Sequence, residues 1–171
     1  MITIDKVVGN IKKDQKLREK YDDFCNRKIC ETVKITRLES SRVRMRKTSD
    51  KGTDIALMLP QGTQLRHGDI IMLEPDKLIA VEIEPENVAM IEIKNNIHED
   101  DFIEVLVRIG HTIGNLHRPI KLEGKKIYFP IQADTELEMF KKLFGHLNEY
   151  LKIDNTKMVF EPEEGTEIHE H

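Results

Sequence analysis

Apolar positions along this chain follow two different rhythms. Up to about residue 84 they come in short runs with a period of two, separated by turn residues, as strands do. Arg42-Val43-Arg44-Met45-Arg46 alternates in this way, and Asp50-Lys51-Gly52-Thr53 supplies a turn after it. Asp54 to Leu59 reads as a second strand, stopped by Pro60. Gln61-Gly62 and His67-Gly68-Asp69 mark further turns, and Ile70–Leu73 and Leu78–Ile83 have the composition of strands. Short strands with frequent turns predict an all-β domain over residues 1–84, a small barrel or sandwich.

From about residue 85 helical stripes join the strands. Val88–Ile93 is a strand, broken by Asn95-Asn96. His98 to Ile113 is the clearest helix: Phe102, Val105, Leu106, Ile109 and Ile113 fall on one stripe, and Glu99, Asp100 and Asp101 place negative charge in the first turn. Gly114 and Asn115 tolerate the left-handed conformation that closes a helix. Ile103, Val107, Gly110 and Gly114 form a second, softer stripe, which predicts a homodimer packed through this helix. Residues 119–122 and 126–131 read as a hairpin around Glu123-Gly124-Lys125. Asp134 is a candidate N-cap for a second helix that buries Leu137, Phe140, Leu143, Phe144 and Leu147 and extends toward Leu151. A last strand near Lys157–Phe160 completes the order β-α-β-β-α-β over residues 85–160, the ferredoxin-like order, so the fold class is α+β. Residues 161–171, with Glu161-Pro162-Glu163-Glu164 and a closing His169-Glu170-His171, cannot bury apolar area and read as a mobile tail.

Charge changes this picture little. A net charge of −4 argues against a general nucleic-acid binder. No apolar run approaches the roughly 18 residues of a membrane span, and Met1–Lys13 lacks a signal-peptide core, so a cytoplasmic location is expected. The two cysteines, Cys25 and Cys30, lack a strong metal spacing and read as reduced thiols. The Arg42, Arg44 and Arg46 face is a candidate partner contact, although a solvated strand face is the simpler reading. No Ser-His-Asp order, phosphate loop or paired-carboxylate motif points to an enzyme.

Histidines carry the remaining chemistry. His117 falls just past the long helix and before a Pro-led strand, where an imidazole faces outward as a ligand for a borderline metal such as nickel, copper or zinc. Across a two-fold interface it would meet its symmetry mate, giving an incomplete site suited to a carrier that must release its ion. His169 and His171 are spaced so that both point one way in an extended segment, and could supply the missing ligands. His111, inside the helix, reads as structural or secondary. His67, His98 and His146 read as surface histidines. Binding through neutral imidazoles predicts an affinity that falls as pH drops through the ordinary histidine range near roughly 6.5.

The run from Gly110 to Pro119 resembles the Tyr-His-Leu-Gly-Asn-Arg-His signature of the urease accessory nickel chaperones, the UreE family. Lys47 to Asp69 is similar to that family's N-terminal domain, and Phe160-Glu161-Pro162-Glu163 to its closing motif before a histidine-rich tail. The resemblance implies a chaperone-like peptide-binding β domain followed by a ferredoxin-like metal-binding domain that makes the homodimer. It implies Ni(II) as cargo, with Zn(II) or Cu(II) as competitors, and His117 as the interface ligand. The implied partners are the urease apoprotein and a GTPase accessory protein; a protein-binding adaptor with incidental metal binding is the rival. This chain departs from the signature at Gly110, where the family has Tyr, and at Leu116, where it has Arg.

Overall fold

The computed structural model of the chain describes residues 1–95 and 97–162, without the side chain of residue 146. They divide into two compact units, Met1–Glu84 and the described residues from Pro85 onward.

The first unit contains β1 (Ile2–Ile4), β2 (Gly9–Asn10), α1 (Gln15–Asn26), β3 (Cys30–Ile35), β4 (Arg44–Thr48), β5 (Asp54–Met58), β6 (Asp69–Glu74) and β7 (Lys77–Ile83). Three strands form one sheet in the order β1-β5-β4, and four form another in the order β2-β6-β7-β3. In the first sheet Arg44 and Arg46 point to solvent, while Ile4, Ile55 and Leu57 bury the opposite face. The expectation of an all-β first domain is corrected by α1. Asp14 caps this helix by accepting a hydrogen bond from the Leu17 N–H at 3.1 Å. Leu17, Tyr21 and Phe24, at i, i+4 and i+7, turn one narrow stripe onto Ile70, Leu78 and Ala80. Three apolar residues among many charges make a weak signal, which the strand pattern downstream hid.

A buried ion pair ties this unit together. Glu31 accepts from Ser49 Oγ at 2.6 Å and pairs with Lys77 Nζ at 2.8 Å. Burial opposes its ionisation, but hydrogen bonds from Lys77, Ser49 and Thr53 outweigh burial and bring the carboxyl from 4.5 down to about 2. A folded-state value below the unfolded one gives stability that is present above about pH 4.5 and lost as pH falls toward 2. The shift corresponds to about 3 kcal/mol. We expect Glu31→Gln to destabilise the first unit by about 2–3 kcal/mol at neutral pH and to flatten its acid sensitivity. Urea unfolding of the β3 amides, followed by NMR between pH 3 and 7, reads both effects. An equally steep acid loss in the variant would move the linkage to another group.

The second unit runs β8 (Glu86–Ile93), α2 (Glu99–Asn115), β9 (Lys121–Glu123), β10 (Lys126–Pro130), α3 (Asp134–Phe144), a 3-10 turn (Gly145–Tyr150) and β11 (Leu151–Met158). Its sheet has the order β11-β8-β10-β9, with each neighbouring pair antiparallel. β8 and β9 therefore flank β10, and α2 crosses between them. Val105, Ile109 and Ile113 of α2, and Phe140 and Phe144 of α3, pack against Ala89, Ile91 and Phe129 of the sheet.

Three expectations for this unit need correcting. The N-cap of α3 is Ala133 rather than Asp134, which is the first helical residue, and its side chain makes no cap bond. The helix does not extend toward Leu151: Gly145, at φ 49°, ends it, and a 3-10 turn leads into β11. β11 begins at Leu151, well before Lys157. It is an edge strand whose Lys152, Asp154, Asn155, Thr156 and Lys157 are exposed or nearly so, and it carries little apolar alternation to read. Among the described residues no helix is long and apolar enough to cross a membrane.

Candidate metal centre

α2 presents two faces, as its two stripes predict. Val105, Ile109 and Ile113 are buried, whereas Ile103 is 67% and Val107 64% exposed, with Leu106 and Phe102 at 38% and 37%. Phe102 and Leu106 therefore lie beside the inner stripe rather than within it. On the outer face Gly110 and Gly114 are open: a Cβ built on either would meet nothing within 4 Å. The outer stripe thus combines bare apolar side chains with stretches of uncovered backbone. Beside it runs a groove of about 250 Å³ between the two helices, lined by Val107, His111, Leu143 and Leu147 among others.

His117 stands at the end of this face. α2 continues through Gly114 and Asn115, and Leu116 is its C-cap. The left-handed residue expected at Gly114 or Asn115 is His117 itself, at φ 50°. Its N–H donates to the Gly114 carbonyl at 3.0 Å, and the Leu116 N–H donates to the Ile113 carbonyl at 3.1 Å. A side chain in this conformation is strained by about 1 kcal/mol, a cost that glycine avoids. The strained backbone holds an exposed imidazole just beyond the helix.

Arg118 anchors the next step of the chain. Its guanidinium donates to the Pro130 carbonyl at 3.2 Å and pairs with Glu136 Oε2 at 3.0 Å, joining the segment to the end of β10 and the first turn of α3. Both side chains of the pair are about one-fifth exposed, so solvent screens it less than a surface pair. This anchor was not identified from the sequence, in which Arg118 and Glu136 are eighteen residues apart.

His111 is exposed, and its Nε2 meets Asn115 Nδ2 at 3.0 Å. The contact ties one ring nitrogen to the helix surface and leaves the other free of it. His67 Nδ1 accepts from the Ile83 N–H at 3.2 Å, a structural bond within the first unit. His98 is the N-cap of α2 and makes no side-chain cap bond. His169 and His171 lie outside the described residues. Among the described residues no three His, Cys, Asp or Glu side chains converge as a metal site. Among the described residues, His117 is thus an exposed imidazole that belongs to no such group.

Arg42, Arg44 and Arg46 are all exposed. Arg46 makes a two-pronged bond to Asp54, at 2.8 Å on each oxygen, and Arg44 sits opposite Met58 in the register. The hydrogen bonds from Arg46 lower the Asp54 carboxyl below its ordinary range.

Residues 4–84 match the family model described as UreE urease accessory protein, N-terminal domain. The chain is 31% identical over 134 residues to the urease accessory protein UreE of Natronomonas pharaonis, an alignment covering 78% of this chain and 61% of that relative. It is 27% identical over 141 residues to the protein of the same name from Yersinia pestis, covering 80% of this chain and 59% of the relative. The chain thus spans about three fifths of the length of these relatives.

Proposed function

Because residues 4–84 match the family model of the UreE urease accessory protein N-terminal domain, we propose that this chain is a nickel-binding metallochaperone of urease maturation. Its second unit is ferredoxin-like and forms a homodimer through the outer face of α2. His117 of each protomer holds Ni(II) at the two-fold axis, and His169 and His171 complete the shell when the ion is loaded. The protein is cytoplasmic and binds rather than catalyses. It hands its cargo to the urease apoprotein, together with a GTPase accessory partner, and Arg42 and Arg44 contact that machinery.

One observation carries the reading: the uncovered apolar stripe of α2 runs into an exposed imidazole held at φ 50°. Burying the stripe against a second copy would bring two such imidazoles to one axis. Two imidazoles suit a cargo ion better than a permanent one, because a structural site fills four positions. They do not choose the metal by affinity, since copper binds imidazole more tightly than nickel and zinc competes. Selectivity then rests with partner docking and metal supply.

Urease activation tests the function itself. Apo-urease supplied with this protein and limiting nickel should gain activity, and His117→Ala should remove most of that gain. Full activation by His117→Ala would favour an adaptor that assembles the partners and carries no metal.

Arg118 acts here as a positioning residue. Arg118→Met removes both bonds that pin the segment while leaving every proposed ligand in place. We expect nickel affinity to fall by about 10- to 100-fold, as when outer partners of metal ligands are removed. Competition against a chelating dye measures it; an unchanged affinity would mean that the backbone alone sets the imidazole.

A further inference from the structure

β11 is an edge strand of eight residues, Leu151–Met158, and its pairing with β8 runs without a bulge along its whole length. The other edge of that sheet, β9, has three residues. Short edges, bulges and prolines commonly keep a strand from pairing with another chain, and β11 has none of them. The ladder fixes which of its backbone groups are already bonded. The Lys94 N–H donates to the Tyr150 carbonyl at 2.9 Å, one step beyond the pair of Leu151 and Ile93. Bonded and non-bonded pairs alternate in an antiparallel ladder, so Lys152, Asp154, Thr156 and Met158 bond to β8. β8 agrees, because Ile93 donates on its other side, to the Lys125 carbonyl at 3.1 Å. Leu151, Ile153, Asn155 and Lys157 therefore turn their N–H and C=O groups outward, away from the sheet. Local groups meet part of this row. The Leu151 N–H donates to the Asn148 carbonyl, and the Asn155 N–H to the neighbouring Asp154 carboxylate at 2.9 Å.

We propose that β11 is a docking edge for a second copy of this chain, which pairs with it antiparallel about a two-fold axis at Ile153. In this register Ile153 exchanges N–H and C=O bonds with Ile153 of the copy. The Leu151 carbonyl accepts from the Asn155 N–H of the copy, and symmetry supplies the reverse bond. The Asp154 carboxylate is released from Asn155 and lies directly across from Lys152 of the copy. Lys152 and Asp154 are both exposed, on the sheet face opposite the helices, since Leu151 and Ile153 turn toward the core. Each such pair is of the close, non-hydrogen-bonded kind, in which facing side chains meet most directly.

Charged side chains blunt an edge when they repel a second copy, and here their order does the opposite. Charge also chooses this register over its neighbours. A two-fold at Asp154 would match outward groups as well, but sets that carboxylate against its own copy. A two-fold at Asn155 leaves Lys152 across from Met158 and Asp154 across from Thr156, with no opposite charges facing. The contact uses no histidine and is separate from the outer face of α2.

Sedimentation equilibrium of the full chain carrying Val107→Asp reads this contact alone, because the substitution charges the exposed face of α2. We expect Val107→Asp chains to form dimers as concentration rises. Adding Lys152→Glu, or adding Asp154→Lys, should weaken that association at least roughly tenfold, because like charges then face each other in both pairs. An equimolar mixture of the two should recover it, since both pairs across the mixed interface again join opposite charges. A Val107→Asp chain that stays monomeric to roughly millimolar concentration would overturn the proposal. So would a dimer indifferent to either charge change, or a mixture that does not recover. Failure of the α2 pairing or of nickel binding leaves each of these readings unchanged, so the two accounts fail separately.

Discussion

Replacing His117 by glycine is expected to weaken nickel binding at least roughly tenfold and to stabilise the second unit at the same time. The two effects have separate causes in one residue. The imidazole is the proposed ligand, so its removal takes away the proposed contact. The backbone, at φ 50°, is a conformation that costs a side-chain-bearing residue about 1 kcal/mol, and glycine relieves it. His117→Ala provides the control: it loses the ligand and keeps the strain, so its affinity should match His117→Gly while its stability does not rise. Thermal unfolding of both variants beside wild type measures the difference. A glycine variant less stable than wild type would mean that the histidine side chain holds the helix end by contacts of its own. The sign of the stability change thus distinguishes a ligand kept despite strain from an ordinary capping residue.

The largest loss of stability is expected at Phe140. Its side chain is fully buried, with its ring centroid 4.6 Å from that of Phe129 in an edge-on contact and 6.2 Å from that of Phe144. Truncation to alanine removes the apolar contact and leaves a cavity between α3 and the sheet, costing about 3–5 kcal/mol. A typical domain has only about 5–15 kcal/mol of stability, so Phe140→Ala should bring the second unit close to unfolding. The damage should reach the metal as well. Glu136, one turn before Phe140 on α3, holds Arg118, and Arg118 holds the segment that carries His117. Calorimetric melting and nickel affinity should therefore fall together in this variant. Loss of stability with unchanged affinity at a temperature where the unit is folded would uncouple α3 from the ligand.

α2 was legible in the sequence because its inner stripe repeats over several turns, with three acidic residues at its start. Its outer stripe was legible too, although Phe102 and Leu106 proved to lie partly in solvent. Less was legible where burial is narrow. α1 buries little beyond Leu17, Tyr21 and Phe24, and β11 exposes most of its side chains at a sheet edge. Neither offers a long periodic signal.

The candidate site was legible as a residue and not as a geometry. His117 stood out by its place between a helix and Pro119, but the left-handed turn was expected at Gly114 or Asn115, the residues that usually take it. The helix runs on through both, and the strain falls on the histidine. Arg118 and Glu136 meet only because α3 returns along the sheet beside the end of α2.

The pairing of His117 across a dimer is the central claim, and nickel titration calorimetry with the molecular mass determined on the same samples tests it most directly. Wild type should be a dimer with one tight nickel per two chains, and His117→Gly should remain a dimer without that tight site. A monomeric wild type, or a dimeric His117→Gly that keeps the tight site, would contradict the account.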